Sequence, residues 1–127
     1  MEVKMDIETK ILVVDDFQFA RRICLNVLKE IGLKNITEVS SGATALSALA
    51  KDSFDLIITD FNMPGMNGLE LVKKIRADED LKLIPIIMIT SEGSKGVMLE
   101  ATEAGVNAFL NKPFTKDDLS EKLERLL

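Results

Sequence analysis

Residues 55–68 read Asp-Leu-Ile-Ile-Thr-Asp-Phe-Asn-Met-Pro-Gly-Met-Asn-Gly. The apolar run Leu56-Ile57-Ile58 leads into Asp60, and Pro64, Gly65 and Gly68 follow closely. A short apolar run bounded by turn signals reads as a buried strand. Asp60 then stands at the carboxyl end of that strand, where open α/β sheets place their ligands.

The same grammar recurs on both sides. Ile11-Leu12-Val13-Val14 ends in Asp15-Asp16, and the next segment sets Phe17, Ala20, Ile23, Cys24, Val27, Leu28 and Ile31 at helical spacing before Gly32. Ile36–Val39 is a short strand. Ser41-Gly42 opens a helix with Ala45, Leu46, Leu49 and Ala50 on one side. Beyond Gly68, Leu69, Leu71, Val72 and Ile75 trace a helix, with Lys73, Lys74 and Arg76 expected to face water. Leu83–Thr90 reads as a fourth strand, with Pro85 tolerable near its start. Residues 94–104 fit a helix closed by Gly105. Ala108–Leu110 is a fifth strand, running into Asn111-Lys112-Pro113. Thr115 and Asp118 form a capping-box pattern before a last helix with Leu119, Leu123, Leu126 and Leu127. Strands alternating with helices, and apolar without clean period-two alternation, indicate a parallel sheet covered on both faces. The right-handed crossover rule makes this a three-layer, doubly wound (βα)5 sandwich.

Composition narrows the chemistry. The chain has 127 residues, 16 basic against 21 acidic, for a net charge of −5. That balance disfavours nucleic acid as a primary partner, since duplex binding neutralises phosphates with Lys and Arg. The one cysteine, Cys24, excludes an internal disulfide, suits a reducing cytoplasm and is expected to be a small buried side chain. Residues 1–10 are mixed in charge, lack the apolar core of a signal peptide, and are taken as an N-terminal extension to a domain over 11–127. No apolar stretch approaches the ~20 residues of a bilayer span. With no histidine, the chain has no His base and no phosphohistidine. Of the six methionines, Met88 is expected in the core, while Met63, Met66 and Met98 are candidates for exposed contacts.

Four strands end in polar residues: Asp15-Asp16, Asp60, Thr90-Ser91 and Lys112. Singly, each has a plain explanation, because Asp and Ser cap helices and lysines are usually solvated. Jointly they converge, because a parallel sheet brings the carboxyl ends of its strands to one edge. Three clustered carboxylates repel and desolvate one another, and a hard divalent cation removes the conflict. Mg²⁺ takes six oxygens and binds through one or two carboxylates plus phosphate oxygens. Asp is a known phosphoryl acceptor. Lys112 and the Thr90 hydroxyl offer a cation and a donor to the transferred group. The expected chemistry is Mg²⁺-dependent phosphorylation of Asp60.

Val14-Asp15-Asp16, Thr59-Asp60-Phe61-Asn62-Met63-Pro64, Thr90-Ser91-Glu92 and Lys112-Pro113-Phe114 resemble the receiver domain of two-component response regulators, over residues 10–127. Within that family the chain is most similar to the single-domain chemotaxis regulators. The resemblance implies a flavodoxin-like strand order, 2-1-3-4-5. It implies that Asp60 takes a phosphoryl group from a histidine kinase or from a small donor such as acetyl phosphate. Asp15, Asp16, Asp60 and the Asn62 carbonyl would organise Mg²⁺. Lys112, Thr90 and Ser91 would bind the phosphoryl oxygens, with Lys112-Pro113 cis. Thr90 and the aromatic ring at position 109 would move together and reshape the face made by the fourth helix, fifth strand and fifth helix. Asn62 and Glu92 would set the phosphoryl lifetime. The implied protein is a monomeric, cytoplasmic phosphoacceptor rather than a conventional enzyme, signalling to a protein target such as the flagellar motor switch, with a phosphatase as a further partner. Two departures stand out: Phe109 where those regulators carry Tyr, and Phe61 where they carry Trp.

Other readings share parts of this pattern. A phosphate sink, a phosphorelay receiver or a receiver cut from a larger regulator would share every motif. A flavodoxin-like electron carrier would need a hydroxyl- and Gly-rich phosphate loop where Asp15-Asp16-Phe17-Gln18 stands. A haloacid-dehalogenase-type phosphatase would need Asp-x-Asp-x-Thr on the first strand, and a receiver-like binding module would have lost the acceptor or the lysine.

Overall fold

The computed structural model describes residues 7–91 and 95–127. The elements in chain order are β1 (Lys10–Val14), α1 (Gln18–Ile31), β2 (Asn35–Val39), α2 (Gly42–Lys51), β3 (Leu56–Asp60), α3 (Gly68–Ala77), β4 (Ile86–Thr90), α4 (Lys95–Ala104), β5 (Ala108–Asn111) and α5 (Lys116–Leu126). The strands form one sheet, ordered β2-β1-β3-β4-β5, with every pairing parallel. This is the doubly wound sandwich and strand order expected from the sequence.

Successive residues of the central strands feed two cores. Leu12, Val14, Ile57, Ile86 and Met88 pack with Leu49 of α2, Leu71, Val72 and Ile75 of α3, and Ala101 of α4. Ile11, Val13, Ile58, Ile87 and Ile89 pack with Cys24 and Leu28 of α1 and Leu119 and Leu123 of α5. Both faces of β3 and β4 are buried, which is why their sequences show no polar alternation. Each fully buried Ile or Leu contributes about 1.5–3 kcal/mol, so the middle of the sheet is the stable frame for its edges.

The helix ends follow local rules. Ser41, Asn67 and Thr115 each head a capping box, with Thr44, Glu70 and Asp118 as the reciprocal partners. Gly32 closes α1 at φ 110, and Gly105 follows α4 at φ 115, the left-handed region open to glycine.

Several expectations fail in instructive ways. Phe17 is the N-cap of α1, not part of its buried face, and stands 61% exposed; Ile23 is also exposed, while Leu25 is buried instead. Ala50 and Leu127 lie exposed rather than on the apolar sides of α2 and α5. Residues 83–85 precede β4 rather than forming it. Pro85 has no N–H for the ladder, and the Ile86 N–H, the first donor of β4, bonds Asn107 Oδ1 at 2.8 Å. Of the two readings open for Met63, core filler or exposed contact, the first holds, since it is buried. Arg76 does not face water. Its guanidinium donates to the carbonyls of Gly105, Lys82 and Ile84 and to Asn107 Oδ1, at 2.8 to 3.1 Å. It stitches the end of α3 to the turns that enter β4 and β5. Cys24 and Met88 are buried as expected. Burial, with the Asp15 carboxylate adding to it and Lys112 opposing, pushes the Cys24 thiol up to about 12, so it remains protonated and inert.

Candidate functional site

The carboxyl edge of the sheet gathers the polar strand ends. Asp15 follows β1, Asp60 closes β3, Thr90 closes β4, and Lys112 follows β5. Register explains the convergence: Val14 pairs with Thr59, Asp60 with Ile89, and Thr90 with Asn111. The Lys112 N–H donates to the Thr90 carbonyl at 3.0 Å, extending the ladder one residue past β5. Lys112 Nζ then reaches back to Asp60 Oδ1 at 2.8 Å and to Asp15 Oδ2 at 3.3 Å. Oxygens of Asp15, Asp16 and Asp60 all lie within 4.8 Å of one another.

Asp16 caps no helix, since α1 begins after Phe17 and has no side-chain cap. Asp15 Oδ1 accepts the Phe17 N–H at 3.0 Å, which fixes the first turn after β1 and presents Asp16 outward. Capping therefore does not account for the acidic pair.

Electrostatics separate the members. Burial raises the pKa of Asp60 above its ordinary value; the Lys112 hydrogen bond opposes this, and the Asp15 and Asp16 charges add to it. Burial acts to lower Lys112, but the hydrogen bond to Asp60 and the charges of Asp60 and Asp15 outweigh it, so its pKa is raised. The lysine remains an ammonium while the acceptor carboxylate sits in a strained balance of charge. The donor set is all oxygen, with no imidazole and no accessible thiolate, and matches a hard cation of the Mg²⁺ type.

The remaining candidates fall around this centre. Thr90 is 1% exposed at the end of β4, and Ser91 is exposed just beyond it. Asn62 is exposed on the loop after Asp60. Phe109, opposite Met88 on β5, is half-buried against the α2–α3–α4 core. Phe61 is half-buried on the same side. Lys112-Pro113 is cis. Glu92 lies outside the described residues.

Two residues have supporting roles that the sequence alone did not assign. Arg21 donates to the Asp15 carbonyl at 2.7 Å and to Glu38 at 3.0 Å, tying the acidic turn to β2. Its partners are a main-chain oxygen and a distant strand, so no local signal announces it. Gly68 donates its N–H to the Phe61 carbonyl at 2.9 Å, and a Cβ on it would collide with the Asp60 carbonyl. The signal for Gly68 was the glycine itself, at the first position of α3.

Similarity to known proteins agrees with this geometry. The response regulator receiver domain family matches residues 11–124. The chain is 48% identical over 126 residues to chemotaxis protein CheY-3 of Vibrio cholerae serotype O1, covering 99% of this chain and 97% of that one. It is 47% identical over 117 residues to chemotaxis protein CheY of Pseudomonas aeruginosa, covering 92% and 94%. Among solved structures, Vibrio cholerae chemotaxis protein CheY4 superposes with a TM-score of 0.88 at 36% identity, over 94% of this chain and 99% of that one. The receiver domain of sensor histidine kinase PA1611 from Pseudomonas aeruginosa, with a magnesium ion coordinated in its active-site cleft, superposes with a TM-score of 0.85 at 28% identity, over 94% and 97%. Fold, strand-end chemistry and similarity over almost the whole length converge on one conclusion: the chain belongs to the response regulator receiver domain family and is a CheY-like signalling protein of the two-component type.

Proposed function

We propose that this protein is phosphorylated on Asp60 by a partner histidine kinase and carries a chemotaxis signal to a protein target, the flagellar motor switch being the candidate. The receiver unit spans 11–127 in this reading, with residues 1–10 an extension. The observation that supports it best is the Lys112 ammonium 2.8 Å from Asp60 Oδ1, beside three carboxylates within mutual reach. Asp15, Asp16, Asp60 and the Asn62 carbonyl would hold Mg²⁺, which when bound neutralises charge on the transferring phosphoryl group. The Asp60 carboxylate is the nucleophile, and Lys112 holds it in place and then pairs with the phosphoryl oxygens. Thr90 and Ser91 donate hydroxyls to those oxygens. Phe109 follows Thr90 inward by packing alone, having no hydroxyl, and so remodels the α4–β5–α5 face. Asn62 and Glu92 govern water access and hence lifetime, and no separate catalytic turnover is needed beyond the protein's own autodephosphorylation. Action in the cytoplasm as a monomer, with a phosphatase shortening the signal, completes the reading.

Incubation with Mg²⁺ and acetyl phosphate tests it by intact mass. One phosphoryl mass is expected on the parent and none on Asp60→Asn; uptake by that variant overturns the assignment. A phosphate-sink or relay role shares this chemistry. Capture of a motor-switch protein only in the presence of beryllofluoride and Mg²⁺ separates it from the signalling role.

A further inference from the structure

Beside the acidic pocket, on the α1–α5 side of the sheet, lies a second concavity of about 270 Å³. The sheet contributes Val13, Ile58 and Ile89, and α1 contributes Ala20, Ile23 and Cys24. Phe114 and Pro113 supply a further wall from the turn after β5, and Asp15 and Lys112 stand at its polar limit. Neither Asp16 nor Asp60 lines it, so it adjoins the phosphoacceptor site and shares only Asp15 and Lys112 with it.

Its chemistry specifies an occupant. An apolar cavity of about 150 Å³ accepts one benzene ring, whereas water needs two to four polar partners. This cavity is nearly twice that size, and its only charged lining residues, Asp15 and Lys112, already pair with each other at 3.3 Å. Two fused rings match such a volume. Three carboxylates against one ammonium repel an anion. Asp15 accepts one N–H from Phe17 and one from Lys112, and a carboxylate has about four acceptor positions, so without a bound cation it has room for one more donor. We propose that this cavity is a binding site for an uncharged fused-ring aromatic bearing a single N–H or O–H, indole being the simplest, with the donor on Asp15 and the rings against Ile23 and Cys24.

The test needs neither Mg²⁺ nor a phosphodonor, so its outcome is independent of the phosphorylation reading. Indole is titrated into the full chain labelled at its Ile and Val methyls, followed by NMR. Saturable shifts are expected at Val13, Ile23, Ile58 and Ile89, with Ile75 and Ile86 in the opposite core unmoved. Indole fluorescence gives a second readout, since the chain has neither Trp nor Tyr. Ala20→Leu fills the space and should weaken binding by roughly tenfold or more. Ile23→Phe fills it from the exposed rim and decides the matter if the first variant does not fold. Shifts linear in indole, shifts spread over both cores, or unchanged affinity in a folded filling variant overturn the proposal.

Discussion

Lys112 and Arg76 occupy opposite edges of one sheet and do opposite things. Both are half-buried cations that reach across strand ends. Lys112, at the carboxyl edge, pairs with two carboxylates whose own neighbours repel them. Arg76, at the amino edge, pairs among the described residues only with neutral oxygens: three carbonyls and an amide. Neutral partners have no second protonation state, and the planar guanidinium fork fixes their directions. The amino edge is therefore locked, while the carboxyl edge is held in an adjustable balance. A parallel sheet gives both edges the same opportunity; the partners decide which becomes the chemical one.

The largest test of this contrast is Lys112→Ala. Loss of the ammonium should slow phosphoryl uptake from acetyl phosphate by about 10²–10³-fold, the range for removing one preorganised charge-stabilising group. Time-resolved intact mass measures it, and an unchanged rate would erase the distinction between the edges. Arg76→Ala should cost roughly 2–4 kcal/mol in urea unfolding, because several carbonyls lose a charged donor, with uptake per folded molecule unchanged. Arg76→Lys should recover only part, since an ammonium cannot reproduce the fork.

A smaller effect carries a sign. The folded pKa of Asp60 is raised, first by burial, so folding favours its protonated form. Its ionisation therefore erodes stability as pH rises from the unfolded value of about 3.9 through the folded one. Asp60→Asn should melt a few degrees higher than the parent near neutrality and no higher at acid pH. Thermal scans across that range check it, and an equal gain at every pH would show that charge is not the cause. Smallest is Thr115→Ala, at roughly 1 kcal/mol. It removes an α5 cap belonging to neither edge, so both uptake and the Arg76 effect should be indifferent to it.

What the sequence disclosed divides along the same line. Asp15, Asp60, Thr90 and Lys112 were legible because each is a polar residue interrupting an apolar strand, and the parallel sheet turns four local signals into one place. The Thr115 cap was legible because its partner is three residues away. Arg76 was not legible, because three of its partners are main-chain oxygens, which every residue type carries, and the fourth, the Asn107 amide, is 31 residues distant. Arg21 was hidden for the same reason. Phe17 misled because helical spacing continues through a residue whose backbone is extended, at ψ 111. Met63, a candidate for an exposed contact by its place on a loop, is instead folded by this loop into the core, the role a methionine most often takes.

That loop is closed on itself. The Gly68 N–H bonds the Phe61 carbonyl, and the missing side chain of Gly68 lets α3 begin against the main chain of Asp60. These contacts join the acceptor to the start of the helix, and the loop between them is pinned to the core by Met63. Its exposed tip at Pro64-Gly65 is then the place where extra length is tolerated, since loop closure grows only slowly with added residues. A tag or a short sensor peptide inserted there would ride beside the acceptor without displacing it, whereas a single methyl group at Gly68 would be felt at once.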